Sequence, residues 1–329
     1  MLMQYTGTPF SNPAGSSTDP TNRPNVIWFD LLNGTSDEVA QVERVTGLHV
    51  PTLGELSEIE SSSRLRIAND ALYLSASLVH RADAMRAPMT TPVGFVLTRQ
   101  FLITVRFAKL VAFGTFADRL SAEPETDGPS AFVCLVDAIV DRMADVLETV
   151  GVELDAVSQR LFSVQVHSSA KLRRPASEDA DLRAILRRVG RGGDLASKIR
   201  DSLLGFGRIL PFVMNIRAEW LSPELRRRIE TQRQDVASLA DYDTYLTNKV
   251  QLLLDATLGL ISIEQNNIIK VLTVVSVVGV PPTLVASMYG MNFKHMPELD
   301  WAWGYPYALC LLVLSALGPL VWFKLRGWL

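Results

Sequence analysis

The side chains best suited to chemistry in this chain are one amide and a series of hydroxyl groups near its C-terminus. Asn292 ends the triplet Gly290-Met291-Asn292, and the hydroxyls upstream of it are spaced by three, seven and four residues. Such spacings place side chains on one face of an α-helix. Amide and hydroxyl oxygens hydrogen-bond the water shell of a cation, whereas this stripe lacks the carboxylates that would replace that water. The stripe comprises Thr273, Ser276, Thr283 and Ser287.

The spacing alone leaves two interpretations of this stripe open. Small hydroxylated residues let neighbouring membrane helices approach closely, so the stripe could be a helix-packing face. It could also be the water-contacting wall of a path formed by several copies of the helix. The same face extends through Asn266, Ile269 and Val280.

Two uncharged apolar runs must position these residues. Residues 271–289 and 303–323 are each long enough to cross a hydrocarbon core of about 30 Å as a helix. Lys270 precedes the first run, and Lys324 and Arg326 follow the second. Positive charge favours the cytoplasmic side, so both ends are expected inside and the loop 290–302 outside.

A long helix is predicted to enter the first span. Ser222 suits an N-cap, Pro223 the first helical position, and no further proline occurs before Pro281. Apolar residues then recur by threes and fours, with Asp243 and Thr257 as exceptions. Such a seam favours helices packed side by side, although burial against the chain's own soluble domain would give the same pattern.

The front of the chain is predicted to be a cytosolic α+β domain. Residues 1–25 are rich in Pro, Ser, Thr, Asn and Gly, which predicts a disordered lead-in. Short β-branched runs and long helical stretches follow. The predicted organisation is a lead-in (1–25), an α+β domain with a helical hairpin (26–220), a stalk helix (221–270), the first span (271–289), the external loop (290–302), the second span (303–323) and a cytosolic tail (324–329).

Composition and motif content exclude several classes of function. The net charge is −3 and no basic stripe is interleaved with aromatics, so nucleic acid is not an expected partner. Cys134 and Cys310 are far apart and fit no disulfide framework. The four histidines are scattered, with no paired metal-ligand spacing. The chain is therefore not expected to be an enzyme.

Four segments resemble a known family. Asn266–Val275, Tyr289-Gly290-Met291-Asn292, Met296-Pro297-Glu298-Leu299 and Trp303-Gly304-Tyr305-Pro306 are similar to the CorA family of magnesium channels and transporters. The resemblance is strong over about the last 75 residues and looser toward the front. It implies a funnel-shaped homopentamer, with five copies of the first span around a central pore.

The resemblance also implies residue roles. Gly290, Met291 and Asn292 would form the outer selectivity ring. At the family's acidic sensing positions this chain has Thr231 and Gln234, and the nearby Glu230 and Asp235 are the candidates for a regulatory metal site. The implied pore-lining residues are Asn266, Ile269, Leu272, Thr273, Ser276, Val280, Thr283 and Ser287, of which Ile269, Leu272 and Val280 would form hydrophobic constrictions.

The resemblance implies passive uptake of hydrated Mg²⁺ across a bacterial-type cytoplasmic (inner) membrane, with both termini cytosolic. Mg²⁺ would be the transported ion and a regulatory ligand. The expected partners are further copies of the chain, the lipid bilayer and divalent metal ions. Two alternatives stay open: transport of Zn²⁺, Co²⁺ or Ni²⁺ by the same fold, and a membrane-tethered scaffold or metal sensor.

Overall fold

The computed structural model describes residues 1–6, 26–58, 60, 64–80, 87–122, 127–167, 175–291, 297 and 301–327. These fall into two compact units, Met1–Leu254 and Asp255–Leu329. The first unit contains a mixed sheet with helices on both faces, and the second contains two apolar helices. The predicted α+β domain, long helix and two C-terminal apolar helices are therefore confirmed.

A six-stranded sheet forms the middle layer of the first unit. Its spatial order is β1-β2-β6-β5-β4-β3, with β2 and β6 parallel and the other neighbours antiparallel. Apolar side chains point from both faces of the central strands, so each face needs a covering layer. The strands are β1 (Leu2–Thr6), β2 (Val26–Leu32), β3 (Leu65–Ala68), β4 (Ala71–His80), β5 (Met89–Leu97) and β6 (Leu102–Arg106).

Short helices cover one face of the sheet and long ones the other. On the first face, Val42 and Leu56 pack with Leu31, Val96 and Ile103. The described helices are α1 (Ser36–Thr46), α2 (Leu53–Leu56), α3 (Val111–Ala122), α4 (Gly128–His167), α5 (Pro175–Ile216), α6 (Pro223–Tyr289) and α7 (Gly304–Leu325), and a 3₁₀ turn spans Ala218–Trp220.

Aromatic contacts fix the long helices to the second face. Phe95 of β5 meets Phe132 of α4 and Phe206 of α5 edge-on, at ring-centroid distances of 5.9 and 6.2 Å. Trp28 of β2 packs against Phe116 of α3 at 4.7 Å. Edge-to-face pairs of this kind add to the free energy gained by burying the rings. The sheet thus serves as a platform for α3, α4 and α5.

The prediction of a disordered lead-in over residues 1–25 is wrong at its start. Leu2–Thr6 forms β1, which pairs antiparallel with β2 and stacks Tyr5 on Trp28 at a centroid distance of 4.5 Å. The backbone N–H of Leu2 also donates to the Glu38 carboxylate at 2.9 Å. Without β1, strand β2 would be an unpaired edge of the sheet. The composition of residues 1–25 does not indicate this long-range pairing. Residues 7–25 lie outside the described residues.

The apolar seam of α6 packs within the first unit as far as Leu253. Val236, Leu246 and Leu253 are buried. The seam packs closely against glycines of α4 and α5. A Cβ added at Gly193 of α5 would lie 3.1 Å from Val250. Of the two interpretations of this seam, burial against the chain's own domain therefore accounts for residues 236–253.

Asp243 is the polar exception in this seam. It is fully buried, and its Oδ2 accepts from Nε of Arg200 at 2.7 Å, while Oδ1 has no hydrogen-bond partner among the described residues. Burial raises the pKa of this carboxyl, and the hydrogen bond and charge of Arg200 only partly oppose that rise. Folding therefore favours the protonated form.

We expect Asp243 to make the protein less stable as the pH rises. Because its pKa in the fold is raised, its contribution to stability is fully present below the unfolded-state pKa and is lost as the pH passes through the folded-state value. Asp243→Asn cannot titrate, so the stability of the variant minus that of the wild type should increase as the pH rises from about 4 toward 7, by about 1.4 kcal/mol for each unit by which the fold raises the pKa. Thermal unfolding of the full chain at each pH measures this difference.

Asp241→Asn is the matched control, since Asp241 lies on the same helix and is exposed. The pH dependence of the stability difference should be larger for Asp243→Asn than for this control. Equal pH dependence of the two differences would contradict the assignment.

Candidate functional site

The described part of the second unit consists mainly of the C-terminal half of α6 and of α7. Both helices are long and apolar enough to cross a membrane. Their large apolar side chains are unusually exposed, for example 65% for Val271, 61% for Leu284 and 69% for Leu314. A core helix of a soluble protein would bury such residues, whereas lipid or further protein copies can cover them here.

Each of these helices has one partly buried face. On α7, half-buried positions recur every three or four residues from Ala308 to Pro319, and Phe323 is buried. On α6 the corresponding face contains Val274, Val278 and Val285. Because these helices are the main described elements of the unit, we infer that the two faces pack on each other.

The predicted stripe lies on the other side of α6. At 3.6 residues per turn, the stripe from Asn266 to Ser287 is roughly opposite the Val274–Val285 face. Its apolar members are exposed, at 60% for Ile269, 64% for Leu272 and 63% for Val280. Asn266, Ser276, Thr283 and Ser287 are also exposed, and Thr273 is half-buried. All eight predicted pore-lining residues therefore lie on the side of α6 roughly opposite its half-buried face, and seven of the eight are exposed.

Two hydroxyls of this stripe bond back to their own helix. Oγ1 of Thr273 donates to the carbonyl of Ile269, and Oγ1 of Thr283 donates to that of Gly279, each at 2.8 Å. Each hydroxyl proton is thereby used, which leaves the oxygen lone pairs as acceptors. Water molecules around a cation donate outward, so these oxygens suit a hydrated cation better than an anion.

The end of α6 carries the predicted selectivity residues. The helix ends at Tyr289, and the N–H groups of Gly290 and Met291 continue its last turn by donating to the carbonyls of Ala286 and Met288 at 3.0 and 3.3 Å. Met291 is 48% exposed. Asn292 follows directly and lies outside the described residues, so its role stays a prediction.

The two candidate regulatory acids do not meet within one chain. Glu230 forms a two-point ion pair with Arg233 at 2.6 and 3.0 Å, and the hydrogen bonds from Arg233 lower its pKa. Asp235 is exposed and lies on another side of α6, since five residues correspond to well over one helical turn. Among the described residues, no group of three or more His, Cys, Asp or Glu side chains is arranged to hold a metal ion.

One polar anchor at the start of α6 was not predicted. Asp137 of α4 accepts hydrogen bonds from Arg228, at 2.6 Å, and from Gln232. Burial alone would lower the pKa of Arg228, but its hydrogen bonds to Asp137 and Cys134 outweigh that and raise it. The i, i+4 spacing of Arg228 and Gln232 was the available signal, because it places both side chains on one face.

The whole architecture matches solved structures. The complete structure of the CorA magnesium transporter from Methanocaldococcus jannaschii aligns with 100% of this chain and 99% of its own, at a TM-score of 0.74 and 18% identity. The full-length CmaX protein aligns with 95% and 91%, at a TM-score of 0.65 and 16% identity. This likeness shows the fold, in which the two C-terminal helices are long and apolar enough to cross a membrane.

The sequence comparison identifies the family. The profile described as CorA-like Mg2+ transporter protein matches residues 24–325, so the chain belongs to the CorA family of magnesium transporters. The magnesium transport proteins CorA of Sodalis glossinidius (strain morsitans) and Escherichia coli (strain K12) are each 34% identical over 308 residues, which cover 93% of this chain and 92% of theirs.

Proposed function

We propose that this chain forms a channel for passive uptake of hydrated Mg²⁺ down the membrane potential. Selection occurs at a ring of Asn292 side chains, and Ile269, Leu272 and Val280 form hydrophobic constrictions that gate the path. The observation that carries the proposal is the stripe of α6, whose one described amide (Asn266), hydroxyls and aliphatic side chains lie roughly opposite the half-buried face of the helix. A membrane anchor has no need of such a face.

A single α6 helix cannot enclose a path, so the proposal requires further copies of the chain. Hydroxyls and an amide facing lipid would lose hydrogen bonds to water, which is costly in a hydrocarbon environment. Several α6 helices around one axis would instead turn the stripe toward shared water. In line with the family, we assign five copies, with the α7 helices outside them.

The chemistry of the wall suits an ion that keeps its water. Mg²⁺ dehydrates reluctantly and usually retains several water ligands. Hydroxyl and amide oxygens can bond that shell, and rings of oriented dipoles then favour a cation without fixed carboxylates. The membrane potential contributes about 2.3 kcal/mol per charge per 100 mV, hence roughly twice that for a divalent ion moving inward.

Basic residues set the orientation and location in this proposal. Lys270, Lys324 and Arg326 lie at the two ends of the hairpin, and positive charge next to a span favours the cytoplasmic side. Both termini are therefore assigned to the cytosol and the segment 290–302 to the outside of a cytoplasmic (inner) membrane.

Ion flux into proteoliposomes tests the proposal. We expect Mg²⁺ uptake to increase with an imposed inside-negative potential, and to continue when a protonophore removes any pH gradient. Co²⁺, Ni²⁺ and Zn²⁺ added in turn show which ion the path prefers. Uptake that needs a pH gradient, or that selects Zn²⁺ over Mg²⁺, would instead establish the alternative transport function. The absence of any ion flux would favour the membrane-tethered scaffold or metal sensor.

The same vesicles test Mg²⁺ as a regulatory ligand. We assign the regulatory contact to Asp235, because Arg233 already occupies the Glu230 carboxylate while Asp235 makes no ion pair among the described residues. Internal Mg²⁺ should slow uptake by the wild type, and Asp235→Asn should weaken that inhibition. Equal inhibition of both proteins would remove Asp235 from the regulatory role.

Thiol accessibility tests which side of α6 faces water. With Cys134 and Cys310 replaced by serine, we expect Ser287→Cys to react with a membrane-impermeant cationic thiol reagent and the reaction to block uptake. Val285→Cys is the matched control, because Val285 is half-buried on the face turned toward α7. A faster reaction at Val285→Cys, or an unreactive Ser287→Cys in vesicles that still conduct, would contradict the assigned pore face.

A further inference from the structure

A cavity in the first unit is lined by none of the described residues assigned to the proposed ion path. It has a volume of about 360 Å³ and lies between the end of β4 and helices α3, α4 and α5. Its interior is apolar, and the side chains that line it are almost completely buried. These are Leu78, Leu110, Ile139, Met143, Val146 and Ile199.

The mouth of this cavity is basic. Lys109, Arg142 and His80 line it together with the apolar interior. Lys109 is exposed and makes no ion pair with any described residue. Among the described residues, the carboxylate nearest to Arg142 is that of Asp145, at 3.9 Å, which is beyond hydrogen-bond distance. The guanidinium donors of Arg142 therefore stay available at the mouth.

The first turn of α3 adds hydrogen-bond donors at the same place. Residues 107–110, Phe-Ala-Lys-Leu, include none of the side chains that usually cap a helix N-terminus, and the first turn contains no acidic residue. The first N–H groups of a helix lack partners within it and carry a partial positive charge. Val111 and Ala112, which begin this turn, both line the cavity.

We propose that this cavity binds a small amphipathic anion, with its carboxylate at the mouth and its apolar group inside. A carboxylate there would accept hydrogen bonds from Lys109, Arg142 and the first turn of α3, and it would offset their positive charge. A cation would be repelled by the mouth, and a fully polar anion would leave the apolar interior unfilled. The volume is at the small end for ligand sites, which fits one ring or a short chain.

Fluorine NMR of 4-(trifluoromethyl)benzoate with the full chain in lipid nanodiscs tests this site. We expect saturable binding by the wild type, and binding at least about tenfold weaker in Lys109→Gln/Arg142→Gln, because charge-assisted hydrogen bonds are lost. The uncharged 4-(trifluoromethyl)benzamide should also bind at least about tenfold more weakly to the wild type. Partition into lipid cancels when variants are compared with one ligand, and empty nanodiscs give the correction for comparing benzoate with benzamide.

Two further variants complete the test. Arg160→Gln/Lys198→Gln removes the same charge elsewhere on the first unit and should keep wild-type affinity. Ala112→Leu adds carbon to the cavity and should abolish binding, with thermal unfolding of the ligand-free variant as the check on its fold. Equal affinity of the wild type and Lys109→Gln/Arg142→Gln, or equal affinity for benzoate and benzamide, would overturn the proposal.

Discussion

Replacement of Asn292 by alanine is expected to abolish Mg²⁺ uptake by proteoliposomes while leaving the protein folded and assembled. The methyl group of alanine can neither donate nor accept the hydrogen bonds that hold the water shell of the ion. Each such bond contributes on the order of 1 kcal/mol, and the change removes a whole ring of amides at once. The uptake rate should therefore fall by at least about a hundredfold.

Asn267→Ala is the matched control for this experiment. Asn267 is exposed, lies on the same helix and undergoes the same chemical change, but it is about 100° of helical rotation away from Asn266 and the stripe. It should retain the wild-type uptake rate. Size-exclusion chromatography of both variants reports assembly. Wild-type uptake by an assembled Asn292→Ala protein would refute the central assignment.

The local pattern in the sequence was sufficient for the hairpin and for the stripe. Uncharged runs of sufficient length predicted two spanning helices, and helical spacing predicted that Asn266 through Ser287 share one side of the first. Both kinds of inference depend only on neighbours along the chain. That the shared side is turned away from α7 needed the structure, because spacing says nothing about which face a second helix covers.

Long-range contacts could not be predicted in this way. Strand β1 forms only because β2 offers an unpaired edge, and the stretch 7–25 separates the two strands in sequence. The seam of α6 had the same period whether it met other copies or its own domain, and contacts such as Gly193 with Val250 decide for the latter between residues 236 and 253. Arg228 and Gln232 donate hydrogen bonds to Asp137, which lies more than 90 residues away in sequence.

A buried ion pair in the sheet is another long-range contact that the sequence did not predict. Asp30 of β2 and Arg106 of β6 are 76 residues apart in sequence, yet they lie on neighbouring parallel strands and are 1% and 6% exposed. Arg106 donates to both carboxylate oxygens at 2.7–3.2 Å. Oγ1 of Thr104 donates to Asp30 and accepts from Nε1 of Trp28, so a polar network connects the central strands.

Asp30→Asn is expected to destabilise the first unit by about 3–5 kcal/mol, because it leaves the guanidinium of Arg106 buried beside a neutral amide. Hydrogen exchange of the β2 and β6 amides in the full chain, followed by mass spectrometry, would show the loss as faster exchange in both strands. Asp194→Asn is the matched control, since its partner Lys198 forms an exposed pair one helical turn away. Pairs of that kind contribute only about 0.5 kcal/mol.

The double variant Asp30→Leu/Arg106→Met separates charge from packing as the origin of that loss. If the loss in Asp30→Asn comes from an uncompensated buried charge, removing both charges should restore much of the protection, because apolar residues of similar volume often replace a buried ion pair at little cost. The polar atoms of Thr104 and Trp28 keep their mutual hydrogen bond in this variant. If the β2 and β6 amides exchange as fast in the double variant as in Asp30→Asn, the loss comes instead from the hydrogen-bond geometry with which the network positions β2 on β6.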